Sequence, residues 1–131
     1  MPKLKLLVVT PETTAVDAEA DEVQLPGELG YLGILPGHAP LITLLKTGVL
    51  SYENAGNQTA FALSSGFAEI SNDTVTVLAD LAEGKALIDS AQAEHDRARA
   101  EEALKTANRE SMPIIRGELE LAQARLEVAA K

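Results

Sequence analysis

Residues 83–92 read "EGKALIDSAQ", and the chain changes character across them. Upstream, turn signals recur about every ten residues: "TPE" at 10–12, "PGELG" at 26–30, "PGHAP" at 36–40, "KTG" at 46–48, "ENAGN" at 53–57, "SSG" at 64–66 and "SND" at 71–73. Short runs rich in Val, Leu, Ile and Thr lie between them. Such spacing predicts an antiparallel sandwich or barrel over residues 1–84. Downstream, glycine nearly vanishes, and Asp89 is followed three residues later by Gln92. That pair reads as a capping box, the Asp89 carboxylate accepting from the Gln92 amide while Gln92 reaches back. The first helix should then run to about Asn108. "RESMP" at 109–113 breaks the pattern. Ser111 with Pro113 suits the start of a second helix, because proline is tolerated only in a first turn. The expected fold is an all-β N-terminal sandwich over 1–84 plus a C-terminal antiparallel α-helical hairpin over 85–131.

Within the sandwich segment Leu4, Leu6 and Val8 alternate, as do Phe61 and Leu63, and Val75 and Val77. The opposite faces are apolar too, at Leu7, Val9, Ala60, Ala62 and Leu78. Either a protein partner covers them, or the small alanines simply face solvent. The second helix carries two stripes. Ile115, Leu119, Ala122, Leu126 and Ala129 form one, and Ile114, Leu121 and Val128 form another about 120° away. The first helix answers with Ala93, Ala100, Ala103, Ala107 and one leucine, Leu104. A pair held by alanines buries little area at ~25 cal/mol per Å². The hairpin should be loosely fixed, and packing on the sandwich accounts for one stripe but not both.

Composition removes several function classes. The net charge is −9, from 11 basic and 20 acidic residues, which argues against nucleic acid. Residues 1–84 carry −8 of it and residues 85–131 only −1. No apolar run reaches the ~20 residues of a membrane span, and "LKLLVV" at 4–9 is too short for a signal peptide. With no secretory signal, the glycosylation patterns at Asn57 and Asn72 read as chance, and a cytoplasmic location is expected. Cysteine is absent, so thiolate chemistry is too. His38 and His95 lie in different halves, and His95 sits among charged neighbours. "GELGYLG" lacks a phosphate-binding pattern, and Ser64-Ser65-Gly66 lacks a nucleophile elbow. Neither a metal site nor an independent enzyme is expected.

The stretches "LPGELGYLGILPGHAPLIT" (25–43), "TGVL" (47–50), "SSGFAEISNDTVTVLAD" (64–80) and the "ID" at 88–89 that opens the helices resemble the epsilon subunit of bacterial and chloroplast F-type ATP synthases. The resemblance runs through the whole chain in order. It implies a non-catalytic central-stalk subunit that links the gamma subunit to the c-ring and couples ion flow to ATP synthesis. It places the chain peripherally, at the cytoplasmic face of the bacterial inner membrane, associated with that membrane only through the complex. Glu28, Tyr31 and His38 of the glycine-rich stretch 27–40 would then meet gamma or the ring. The hairpin would either fold on the sandwich or extend toward the alpha and beta subunits and inhibit ATP hydrolysis. Arg97, Arg99, Lys105, Arg109, Arg116 and Arg125 would be its basic contacts, and Ile114, Leu121 and Val128 its apolar ones. Some members bind ATP under the folded hairpin through Ile/Leu-Asp-x-x-Arg-Ala. Here Gln92 replaces that arginine, and Glu83, Ile88, Asp89, Gln92, Arg99 and Arg125 remain as the site, so weak ATP binding and no other cofactor are expected. The competing reading is a free-standing β-sandwich that binds a ligand or acts as an adaptor.

Overall fold

A computed structural model describes residues 2–131. The strands are β1 Leu4–Val9, β2 Thr14–Ala20, β3 Glu22–Gly27, β4 Gly30–Ile34, β5 Leu41–Leu45, β6 Gly48–Asn54, β7 Asn57–Leu63, β8 Gly66–Ser71, β9 Thr74–Ala79 and β10 Ala82–Gly84. The helices are α1 Ser90–Leu104 and α2 Met112–Ala129. All ten strands join one sheet in the order β10-β7-β6-β3-β5-β8-β9-β1-β2, with β4 on β3. β3 and β5 share a single residue pair, Gly27 with Leu45. The sheet folds over at that thin seam into two layers, β10-β7-β6-β3-β4 and β5-β8-β9-β1-β2. Leu4, Leu6, Val8, Leu25, Ile34, Leu50, Leu63, Ile70, Val75 and Val77 fill one core between them. The sandwich and hairpin are therefore the expected architecture.

The glycine-rich stretch is not one loop. Gly27 ends β3, Glu28 and Leu29 turn, and Gly30 enters β4 at φ 137°. Ile34 pairs with Val23 and is fully buried, so the middle of the stretch is strand. A second turn follows, with Gly37 at φ 88°, a conformation that costs a β-carbon dearly. Gly66 is fixed by crowding instead. A β-carbon there would lie 2.0 Å from the Leu78 carbonyl oxygen across the β8–β9 ladder. Gly66→Ala should therefore lower stability by about 3 kcal/mol, read from the chemical denaturation midpoint, because backbone cannot move aside as a side chain can.

α1 ends at Leu104, short of Asn108. The amides of Lys105, Thr106 and Ala107 bond carbonyls three residues back, and this tightened turn closes the helix. Asn108 then builds the connection. Its side-chain oxygen accepts from the amides of Glu110 and Ser111 at 2.9 and 2.8 Å. Ser111 makes no side-chain cap to α2. Half of the capping box forms, with the Gln92 amide donating to Asp89 at 3.1 Å. The Gln92 side chain runs forward to the Asp96 carboxylate, 2.9 Å away, since a charged acceptor one turn on outcompetes a return to the cap.

α2 lies on the outer face of the first layer. Val49 pairs with Ala62, Ala62 with Glu83, and Ser51 with Ala60, so all five sit on that face. Ala124 and Val128 close over Val49, Ala60 and Ala62, joined by Ile88. The alanine face is thus covered by the chain itself, not by solvent or a foreign partner. Val128 is 1% exposed and is no part of a spare stripe. Leu121 is half-buried, and Ile114, at 67% exposure, is the one member left outside. The helix touches the sheet on one side and α1 on another, so both stripes have neighbours in this pose.

Candidate functional site

The outer face of the second layer has no helix over it. Leu44 stands opposite Phe67, Phe67 opposite Leu78, and Leu78 beside Val9, one row across four strands. Neighbouring strand positions point inward, so Leu45, Ala68, Val77 and Val8 fill the core while this row faces out. Leu44 is 61%, Phe67 42% and Leu78 39% exposed, and Ile42 along β5 reaches 71%. A groove of about 530 Å³ runs beside the row, bordered by Glu28 and Asp80. Single exposed apolar side chains are ordinary, whereas a contiguous row rimmed by charge marks an interaction surface.

The three residues expected in one contact loop do not meet. Glu28 lies in the turn before β4 and His38 in the turn after it, and a five-residue strand spans about 15 Å. Tyr31 belongs to the Glu28 end, where Leu29 projects fully into solvent. The polar tips of Tyr31 and His38 are each engaged by a backbone group of the sandwich. The Tyr31 hydroxyl accepts from the Val49 amide at 3.3 Å, and His38 Nδ1 donates to the Ala39 carbonyl at 2.6 Å. At the His38 end, the Gly37 amide donates to Asp73 at 2.7 Å, tying that turn to the β8–β9 turn.

Below the hairpin, register explains a third feature. Glu83 is the ladder partner of Ala62, so its carboxylate faces α2. Arg125 meets it with two prongs, Nε to Oε1 at 2.6 Å and Nη2 to Oε2 at 3.2 Å. The adjoining cleft of about 210 Å³ is lined by Glu83, Ile88, Asp89, Gln92, Asp96 and Arg125 among others. Five of the six residues expected for nucleotide therefore converge. Arg99 does not, being exposed and paired with Asp96 at 3.3 Å. The cleft presents three carboxylates and one guanidinium that is already bound.

Most of the hairpin's basic residues are committed as well. Arg97 is gripped by Glu94 and Glu101, and its hydrogen bond pulls the Glu94 carboxyl below the usual carboxylate range. Lys105 pairs with Glu102 at 3.0 Å. Among the described residues, Arg109 has no carboxylate partner and Arg116 reaches only the Met112 sulfur at 3.6 Å.

One outer face of the sandwich thus carries the docked hairpin and the other an open apolar row. Residues 3–85 match the family described as "ATP synthase, Delta/Epsilon chain, beta-sandwich domain". The ATP synthase epsilon chain of Geotalea daltonii is 45% identical over 131 residues, covering 98% of this chain and 95% of the relative. That of Koribacter versatilis is 48% identical over 103 residues, covering 79% and 72%. Among solved structures, a chain of the Euglena gracilis mitochondrial ATP synthase (OSCP/F1/c-ring) superposes with a TM-score of 0.85 at 19% identity, over all of this chain and 84% of that one. A chain of the Tetrahymena thermophila mitochondrial ATP synthase central stalk and c-ring gives 0.62 at 11% identity, over 98% and 97%. These two show the fold. The chain belongs to the epsilon-chain family of F-type ATP synthases, accessory subunits of the central stalk rather than catalytic ones. No helix among the described residues is long and apolar enough to cross a membrane.

Proposed function

We propose that this chain joins the gamma subunit to the c-ring and carries rotation between them. The row Leu44–Phe67–Leu78 supports that reading best: it is the open apolar surface of a sandwich whose other outer face is taken. Gamma docks there, and the end bearing Leu29 and Tyr31 rests on the ring, while His38, at the opposite end, does not. In this reading the chain is peripheral to the cytoplasmic face of the bacterial cell membrane through the complex. Co-purification with gamma and c-ring tests it, since failure to form a stable complex with gamma would remove it. Single cysteines at positions 29 and 38, cross-linked in the assembled complex, assign the two ends.

The hairpin is the regulatory part. Extended toward the alpha and beta subunits, it opposes ATP hydrolysis. Arg109 and Arg116 lead its contacts, because Arg97, Arg99, Lys105 and Arg125 must first leave carboxylates. Ile114 supplies apolar contact without undocking, whereas Leu121 and Val128 become available only once α2 lifts.

ATP fits the cleft poorly. Glu83, Asp89 and Asp96 repel phosphate, Arg125 is spoken for, and Gln92 offers a neutral amide where a fixed positive fork would be needed. Calorimetry should detect weak or no ATP binding by this chain and a clear gain in Gln92→Arg, roughly tenfold for one charge-assisted contact. Micromolar affinity in the unaltered chain would contradict this.

A further inference from the structure

We infer that the Glu83–Arg125 pair is a salt-sensitive latch that holds the hairpin on the sandwich. This rests on reading the hairpin as a mobile element. The apolar contact beneath α2 is thin: Ala124 and Val128 meet Val49, Ala60, Ala62 and Ile88, five of the six being alanine or valine on short stems. Burial of that kind supplies little area. At its edge stands the one ion pair that joins strand to helix among the described residues, 42 positions apart in sequence. Both side chains are about three-quarters buried, at 25% and 22% exposure. The geometry is two-pronged, the arrangement in which a guanidinium holds a carboxylate most firmly. Partial burial makes it stronger than a surface pair, and its open side leaves it within reach of ions.

The surroundings favour a latch over a general brace. Asp89 and Asp96 line the same cleft from the hairpin side, so Arg125 is the one group there that draws the Glu83 carboxylate to the hairpin. No residue of either helix belongs to the core between the layers. Opening the pair therefore frees α2 without loosening the sandwich. Ionic strength, and anions that compete for Arg125, shift the hairpin toward release.

The absence of cysteine makes the test direct. Ala60→Cys places a single thiol beneath α2, where the residue is 9% exposed. Its rate of modification by a small maleimide in the isolated chain reads hairpin opening. Glu83→Gln should raise that rate about tenfold. Raising salt from about 50 mM to about 1 M should speed the reference protein likewise and leave Glu83→Gln nearly unchanged. Arg125→Gln should raise the rate at least as much, and the double variant should gain far less than the product of the two. An unchanged rate in Glu83→Gln, or an equal salt response in it, overturns the latch. A Val77→Cys thiol in the core must stay unreactive throughout; if it opens in step, the pair braces the whole fold and the inference fails. Because the assay uses no gamma, its failure is separate from a failure to form the complex.

Discussion

Replacing Phe67 and Leu78 together with glutamate should abolish co-purification of the chain with gamma while lowering its thermal midpoint only modestly, through like-charge repulsion across the ladder and the loss of half-exposed apolar contact. The two residues face each other across β8 and β9 and point away from the core, whose share of these strands is Ala68, Ile70, Val75, Val77 and Ala79. Charge on that face therefore stays hydrated in the free chain. In the docked state each carboxylate would be buried without a partner, at a cost of several kcal/mol. Since about 1.4 kcal/mol is tenfold in affinity, the loss should exceed roughly a hundredfold. Pull-down with gamma, alongside a thermal melt, reads both halves of the expectation. Retained binding would move the interface off this face.

The second large effect concerns the hairpin. A chain ending after Gly84 should fold, bind gamma and keep ion flow coupled to synthesis, while ATP hydrolysis by the assembled enzyme rises. The core between the layers is built wholly from strands, and removing the helices uncovers chiefly Val49, Ala60 and Ala62. Three small or medium side chains reaching solvent cost a few kcal/mol at most, too little to undo a ten-stranded sandwich. Circular dichroism, gamma co-purification and ATPase assay of the truncated form check it. Loss of gamma binding would make the hairpin structural. Replacing Ile114, Leu121 and Val128 together is a poorer probe of inhibition than the stripe suggested, because Val128 is buried against the sheet and its loss destabilises docking as well.

The architecture was legible because two periodicities meet at one place, and because turn residues at fixed intervals leave few alternatives to a sandwich. The covered face was legible only in part. Ala60 and Ala62 are apolar on the side away from Phe61 and Leu63, which signals a cover, but alanine does not say whether that cover is helix, partner or water. Register, absent from sequence, settled it through the pairing of Ala62 with Val49 and Glu83. The open row was harder still. Leu41, Ile42, Leu44 and Leu45 are all apolar, so no alternation tells which of them face out, and only Leu7, Val9 and Leu78 stood out beforehand. The resemblance groups Glu28 and His38 in one contact loop. A strand between them, masked by its glycines, sends them to opposite ends. The Glu83–Arg125 contact joins residues 42 apart through the fold-back of a helix, and nothing local in either segment announces it.

Amide hydrogen exchange of the chain, free and bound to gamma, tests the central claim most directly. Docking on the open row predicts new protection along β5, β8 and β9, centred on residues 42–45, 66–69 and 76–79, with β6 and β7 unchanged. Protection confined to β6, β7 and the hairpin, with the row still exchanging as in the free chain, would contradict it.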